Sequence, residues 1–186
     1  MKHFYQNIEG WFDFQNLYEE QVKKSQNGFH FVEIGAWLGK STSFMAVEII
    51  NSNKKIKFDV IDTWEGSSNE INSTHSIVNT KNIYEIFLSN VNDVLPYINP
   101  IKMTSEEASK IYKNESLDFI FIDANHQYEF VLNDIKSWYP KLKIGGYIGG
   151  HDYKCGWEGV DKSVTEFFKD KTITHITNSW LYHKDL

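Results

Sequence analysis

The sequence contains no arginine, the side chain that most often clamps a phosphate or carboxylate through two parallel hydrogen bonds. Any bound anion must therefore contact lysine side chains or backbone amides. Basic side chains as a whole are in the minority, with 19 against 25 acidic ones and a net charge of −6. A nucleic-acid-binding face is normally rich in lysine or arginine, and no basic block occurs, so we do not expect DNA or RNA as a partner.

Cysteine is almost absent as well. The single Cys155 excludes an internal disulfide and a zinc site built from cysteines. No apolar run approaches the length of a transmembrane helix, and the first residues lack the apolar core of a signal peptide. We therefore expect a cytoplasmic protein without a membrane partner; the sequence leaves a homo-oligomer open.

The 186 residues fit one domain, residues 1–186, which is long enough to bury a core. Apolar runs predict strands at 29–34, 56–62, 101–104, 117–123 and 147–150, and two more within 173–183. Helical spacing predicts helices at 8–24, 40–51, 82–97, 106–112, 128–142 and 160–169. Because strands alternate with helices, we predict an α/β fold with a doubly wound, mostly parallel seven-stranded sheet and helices on both faces.

Two segments of this domain are predicted to flank the sheet. Residues 1–27 form an N-terminal helical segment that we expect to pack beside it. Residues 63–80 are polar and rich in serine and asparagine, and they are long for a connection without secondary structure. Loops of this kind often cover a binding site, so we predict a lid-like role for 63–80, with Trp64 at its base.

A glycine turn between the first strand and its helix is the strongest local signal. Gly35 and Gly39 bracket the turn, and Ser41 and Thr42 open the helix. In open α/β sheets, such a turn presents backbone N–H groups and a positive helix end to a small ligand. The spacing is E-x-G-x-x-x-G from Glu33, not the G-x-G-x-x-G of dinucleotide sites, which disfavours a nicotinamide-dependent oxidoreductase. It resembles the first motif of class I methyltransferases, which bind S-adenosylmethionine.

Two polar residues follow the next strands. Asp62 ends the second strand about twenty residues beyond the turn, where an acid accepts hydrogen bonds from ribose hydroxyls in nucleotide-binding folds. A turn or a helix cap is the alternative role for Asp62. Ser105 lies just past the third strand and could meet an adenine edge together with Glu106, or it could cap the following helix.

Two acids end strands of the predicted sheet, and they would face the same cleft if those strands are neighbours. Asp123 ends LDFIFID and Asp152 ends YIGGHD, so their carboxylates are expected at one edge, beside the glycine turn. Converging carboxylates repel unless they share a proton or a cation, and Mg²⁺ is the simplest such cation. His151 or His126 as a further ligand would favour Mn²⁺ or Fe²⁺. His126 is also the natural proton acceptor from a substrate hydroxyl, although a lone histidine is more often structural.

The order of these segments resembles a bacterial and phage family of small class I methyltransferases, similar to catechol-type and macrolide-sugar O-methyltransferases. The segments are VEIGAWLGKST, VIDTWEG, FIDANHQYEFVLNDIKSWYPKLKIGGYIGGHDY and GVDKSVTEFF, which together span nearly the whole chain. The resemblance implies metal-ligand positions at Asp123 and Asp152, and it implies cofactor contacts at Glu33, Gly35, Gly39, Asp62 and Ser105. The chain differs from catechol-type enzymes in reading His151-Asp152 where they have adjacent Asp and Asn, which leaves the identity of the metal and its requirement open.

The resulting hypothesis is a metal-assisted O-methyltransferase that uses S-adenosylmethionine, with Mg²⁺ or Mn²⁺ held by Asp123, His151 and Asp152. His126 or Asp123 would take the proton of the acceptor, a small molecule or a sugar. The first alternative is a metal-independent methyltransferase, in which the acids serve as base and cap. The second is a module that binds S-adenosylmethionine or a nucleotide without catalysis.

Overall fold

A seven-stranded sheet forms the centre of the computed structural model, which describes residues 1–66 and 82–185. The strands are β1 (His30–Ile34), β2 (Lys57–Asp62), β3 (Asn99–Lys102), β4 (Leu117–Ile122), β5 (Leu142–Gly150), β6 (Thr174–Ile176) and β7 (Ser179–His183). The α-helices are α1 (Gln15–Lys24), α2 (Lys40–Ser52), α3 (Ile83–Asn90), α4 (Ser105–Ser109), α5 (Tyr128–Trp138) and α6 (Glu158–Phe167).

The strand order across the sheet is β3-β2-β1-β4-β5-β7-β6. The first five strands pair in parallel, whereas β7 is antiparallel to both β5 and β6. The predicted α/β sheet with mostly parallel strands is thus confirmed in its main features, but the sheet is mixed. The cause is the two-residue connection between β6 and β7, which is too short for a parallel crossover and folds the chain back as a hairpin.

Helices cover both faces of the sheet because side chains alternate along each strand. Phe31 of β1 belongs to a core cluster under α1, α2 and α3, whereas Val32 and Ile34 belong to a second cluster under α5 and α6. Strands buried on both faces read as continuous apolar runs, which explains why LDFIFID was recognisable in the sequence.

Several elements differ in extent from the prediction. Helix α1 begins at Gln15, so residues 8–14 of the predicted helix form no α-helix, and Gly10 has a φ of 131°. The predicted helix 82–97 divides into α3 and a 3₁₀ helix, Asn92–Tyr97, that contains Pro96, because proline cannot continue an α-helix. Strand β3 begins two residues earlier than predicted, at Asn99.

The predicted lid-like loop 63–80 falls mainly outside the described residues, which include only 63–66 of it. Trp64 is 4% exposed, and its ring packs against Tyr84 and Phe87 of α3. This tryptophan therefore belongs to the core at the start of the segment. Within the described part of the chain, each helix is too short or too polar to cross a lipid bilayer.

Candidate active site

The glycine turn lies where β1 and β4 end side by side. Gly35 has a φ of 88°, and a Cβ atom built on it would lie 1.9 Å from the carbonyl oxygen of Asp123. Only glycine allows this close approach, which brings the turn against the backbone that carries Asp123. Gly39, with a φ of 90°, is the N-cap of α2 and offers no side chain to the first amides of the helix. Uncapped N–H groups at a helix start can bind a ligand.

Glu33 is buried beneath this turn, with 1% of its surface exposed. Its Oε1 accepts a hydrogen bond from the Tyr18 hydroxyl at 2.8 Å, and its Oε2 accepts one from Thr42. Burial raises the pKa of Glu33 to about 7, although the hydrogen bonds from Thr42, Ser41 and Tyr18 oppose this. The carboxyl group links α1 and α2 to the sheet, and a contact with the cofactor stays a prediction.

Asp62, at the end of β2, holds the glycine turn in place. Its Oδ2 accepts hydrogen bonds from the amides of Ala36 and Trp37 at 2.8 and 2.9 Å, and its Oδ1 accepts one from the amide of Trp64 at 2.7 Å. The alternative role in a turn is therefore present in the structure. Binding of a ribose by the same carboxylate stays a prediction.

Ser105 begins α4, but it is not the helix cap. Thr104 is the N-cap, and it forms a capping box with Glu107, so the alternative role suggested for Ser105 was wrong. The Ser105 hydroxyl instead accepts a hydrogen bond from the indole of Trp138 at 2.8 Å. It also hydrogen-bonds the buried carboxyl of Asp134, which opposes the rise that burial causes in the pKa of Asp134. The predicted contact of Ser105 with adenine stays a prediction.

The two strand-end acids lie side by side, as predicted, because β4 and β5 are neighbours with Ile122 opposite Gly150. Single ligand atoms of Asp123, His126 and Asp152 all lie within 4.8 Å of one another. His126 Nε2 is 2.8 Å from Asp152 Oδ2, and the His126 ring stacks on Trp157 with centroids 4.2 Å apart. The N-cap of α5 is Gln127, so Asp123 does not cap this helix.

His151 approaches the same two carboxylates. Its Nδ1 is 3.4 Å from Asp152 Oδ2 and 3.8 Å from Asp123 Oδ1. Its Nε2 is 2.8 Å from Asp13 Oδ1. Both predicted histidines are thus within reach of the acids.

The acids of this group differ in their pKa values. Burial and the charge of Asp152 raise the pKa of Asp123 to about 6, against the opposing charge of His151. Burial also opposes ionisation of Asp152, but hydrogen bonds from His126 and His151 outweigh it and hold the pKa of Asp152 below its usual value. Burial would lower the pKa of His151, yet its bond to Asp152 and the charge of Asp123 raise it to about 9. Neighbouring carboxyl groups whose pKa values are shifted in opposite directions are typical of active sites.

The residues fit a divalent metal ion. Two ligands about 2.1 Å from one octahedral ion lie roughly 3.0 to 4.2 Å apart. The separations of His151 Nδ1 from the two carboxylates, 3.4 and 3.8 Å, fall within this range. Two carboxylates and one imidazole suit Mg²⁺, Mn²⁺ or Fe²⁺. Asp152 also has a φ of 60°, a conformation that is uncommon outside glycine and that is enriched at functional sites.

Two residues of this site are not predicted from the sequence. Asp13 falls within a predicted helix, and its partner His151 lies 138 residues further along the chain, so no local pattern connects them. Trp157 lies in a short connection before α6 and carries no motif. Only the tertiary structure brings these two side chains to the acids.

Comparison with known proteins identifies the family. A family model described as a methyltransferase domain matches residues 32–153, which include every strand-end residue of the site. The chain belongs to this methyltransferase-domain family. The predicted resemblance to class I S-adenosylmethionine-dependent methyltransferases is therefore confirmed.

A relative can also be recognised from sequence similarity. An uncharacterized protein of Acanthamoeba polyphaga mimivirus is 34% identical over 130 residues, covering 67% of this chain and 51% of that protein. The chain thus matches about half the length of this relative.

Two solved structures share the fold. The O-methyltransferase NovP superposes with a TM-score of 0.72 at 15% identity, covering 92% of this chain and 79% of NovP. A SAM-dependent O-methyltransferase from Thermotoga maritima superposes with a TM-score of 0.60 at 12% identity, covering 92% and 64% of the two chains. At these identities, the likeness extends to the methyltransferase fold alone.

Proposed function

We propose that this methyltransferase transfers a methyl group from S-adenosylmethionine to a hydroxyl oxygen of a small molecule or sugar, with the help of a divalent metal ion. One observation carries the proposal. The carboxylates of Asp123 and Asp152 lie close to the imidazoles of His126 and His151. They do so at the edge of the sheet where the glycine turn of the methyltransferase domain also lies. Two named O-methyltransferases with the same fold support oxygen as the acceptor atom.

Asp123, Asp152 and His151 would hold the metal ion, which supplies Lewis-acid chemistry that lowers the pKa of a bound hydroxyl. The glycine turn and the start of α2 would bind the methyl donor. The substrate oxygen and the methyl group would then be aligned at the edge of the sheet, and alignment contributes most of the rate in a transfer of this kind.

His126 would take the proton from the acceptor hydroxyl. Its Nε2 lies 2.8 Å from Asp152 Oδ2, and because that carboxylate accepts, Nε2 carries a hydrogen. The basic lone pair of the neutral ring is then on Nδ1, so the proton would move to that atom. Stacking on Trp157 and the bond to Asp152 fix the ring in one orientation, which is the arrangement that a general base requires.

The test separates cofactor binding from metal binding. Calorimetric titration with S-adenosylhomocysteine should show micromolar binding to the wild type and to the Asp123→Asn variant, because the donor binds at the turn. Titration with Mn²⁺ should show binding to the wild type only, since the variant loses a charged ligand. Radiolabelled methyl transfer to a panel of phenols and sugars should stop in Asp123→Asn and in the presence of chelator.

An exposed aspartate on another part of the surface, changed in Asp170→Asn, is the matched control. This variant should behave as the wild type in all three measurements. Methyl transfer that persists in Asp123→Asn or in chelator would contradict the metal mechanism and support the metal-independent alternative. Absence of S-adenosylhomocysteine binding to the wild type would contradict the assignment of the cofactor.

A further inference from the structure

The segment before α1 reaches across the fold to the candidate metal site. Asp13 Oδ1 lies 2.8 Å from His151 Nε2, and Asp13 Oδ2 accepts a hydrogen bond from the side-chain amide of Asn178 at 2.7 Å. Asn178 is in the turn between β6 and β7, and its carbonyl accepts a hydrogen bond from the amide of Tyr153 at 2.8 Å. These hydrogen bonds therefore join three distant parts of the chain, at residues 13, 151–153 and 178.

This contact determines which nitrogen of His151 faces the acids. A carboxylate oxygen only accepts hydrogen bonds, so Nε2 must carry the hydrogen that points to Asp13. Nδ1 lies 3.4 Å from Asp152 Oδ2 and 3.8 Å from Asp123 Oδ1. In the absence of a metal ion Nδ1 carries the hydrogen of the bond to Asp152, and a metal ion would take the place of that proton. A metal-bound imidazole uses the lone pair of one nitrogen and donates the N–H of the other, commonly to a carboxylate. Asp13 occupies the position of that carboxylate.

The surroundings hold the ring in this orientation. The side chain of His151 is 10% exposed, and its ring lies against Phe14 with centroids 4.9 Å apart. Phe14 is itself 2% exposed and packs on Phe121 of β4, with centroids 4.6 Å apart. The residue next to Asp13 is thus anchored in the core, which limits how far the Asp13 carboxylate can move away from the imidazole.

We propose that Asp13 is a positioning residue, which holds the Nε2–H of His151 so that Nδ1 completes the metal site formed with Asp123 and Asp152. The inference rests on the metal-assisted function proposed above. Carboxylates that orient metal-bound histidines typically contribute 10- to 100-fold to metal affinity. Asn178 supports the arrangement by fixing the second oxygen of Asp13.

Metal affinity is the direct readout, and it needs no knowledge of the methyl acceptor. Mn²⁺ would be titrated into the full chain and followed by electron paramagnetic resonance of the free ion, for the wild type and for Asp13→Ala. We expect Asp13→Ala to bind Mn²⁺ about 10- to 100-fold more weakly. Its affinity for S-adenosylhomocysteine should stay within about twofold of the wild type, because the glycine turn is unchanged. Glu9→Gln is the control, since it removes one negative charge from the same segment at an exposed position.

A double-mutant cycle shows whether Asp13 acts through His151. The variants are Asp13→Ala, His151→Gln and the two combined, each measured for Mn²⁺ affinity. If Asp13 acts by positioning His151, the change at position 13 has no further effect once the imidazole is gone. Asp13→Asn should fall between the wild type and Asp13→Ala, because an amide oxygen can still accept the Nε2–H.

Three outcomes would overturn the inference, and they differ in what else they contradict. Equal Mn²⁺ affinity in Asp13→Ala, Glu9→Gln and the wild type contradicts the role of Asp13 alone. A full additional loss in the double variant shows that Asp13 acts independently of His151. A wild type that binds S-adenosylhomocysteine but no Mn²⁺ contradicts the metal part of the proposed function together with the inference.

Discussion

At the scale of single residues, Glu33 links the stability of the protein to pH. Its pKa is raised to about 7 by burial in the folded protein, whereas 4.5 is the ordinary value of the group. The folded state holds this proton more tightly than the unfolded chain does. The contribution of Glu33 to the free energy of unfolding is therefore complete below about pH 4.5 and is lost as the pH rises through 7. At about 1.4 kcal/mol per pH unit, the loss is on the order of 3 kcal/mol.

Urea unfolding between pH 4.5 and pH 8 measures this effect. In Glu33→Gln, the free energy of unfolding should fall less steeply with pH than in the wild type, because the amide does not ionise. The slope is informative even where the amide changes the absolute stability. Glu19→Gln, an exposed change on α1, should retain the wild-type slope. Parallel slopes for the wild type and Glu33→Gln would show that Glu33 titrates normally in the folded protein.

The sequence predicted those site residues that follow a strand. Asp123 and Asp152 end neighbouring apolar runs, and parallel topology sends the ends of such strands to one edge, so their proximity could be anticipated. Asp13 and Trp157 could not, because each approaches the site from an irregular segment. The role of Ser105 could not be predicted either, because its partner Trp138 lies on a different element, α5. The Ser105 hydroxyl accepts a hydrogen bond from Trp138, and Thr104 caps the helix.

At the scale of elements, the turn between β1 and α2 is predicted to tolerate no side chain at Gly35. Gly35 and Gly28 have nearly equal φ angles, 88° and 89°, but a Cβ on Gly28 meets nothing within 4 Å. Both substitutions to alanine carry the cost of a left-handed backbone, about 1–2 kcal/mol. Gly35→Ala additionally forces a methyl group into the backbone of Asp123 and should cost several kcal/mol more, or prevent folding.

Thermal and urea unfolding of the two alanine variants provide the comparison. Gly28→Ala shares the backbone strain and lacks the collision, so the difference between the variants isolates the close approach of β1 and β4. Similar stabilities would mean that the two strand ends can separate without loss. S-adenosylhomocysteine binding to any folded Gly35→Ala protein should also be weakened, because the turn would be displaced.

Elements were predicted well where periodicity was unambiguous and less well where it was not. The aromatic residues at 11 and 12 gave the segment before α1 a loosely helical spacing, although Trp11 is 70% exposed and the α-helix begins at Gln15. The direction of β7 could not be read from periodicity, because parallel and antiparallel strands share the same alternation. The short connection after β6 is the signal that points to a hairpin.

At the scale of the whole molecule, the order of the strands predicts a gradient of local stability. Strands β1 and β4 lie in the middle of the sheet, pair on both sides and are covered by helices on both faces. Strands β3 and β6 are its edges. Backbone amides buried in a doubly covered centre open only with global unfolding, whereas edge strands open locally.

Hydrogen exchange followed by mass spectrometry would test this gradient. We expect the slowest exchange at Phe31–Ile34 and Phe119–Ile122, and faster exchange in Asn99–Lys102 and Thr174–Ile176. Added S-adenosylhomocysteine should slow exchange around residues 35–42, where the glycine turn would bind it, and should leave β6 unchanged. Uniform protection across all seven strands would contradict the gradient.

The hydrogen-bond network that links His151, Asp13 and Asn178 also has a consequence for biosynthesis. The central strands β1, β2 and β4 are complete by residue 122, so much of the sheet can assemble while the chain is still being translated. Asp13 acquires its partners much later, because His151 and Asn178 are translated 138 and 165 residues after it. If the proposed function is correct, a nascent chain released early would carry an intact glycine turn but an unfinished acidic site, so it could hold a methyl donor before it could use one.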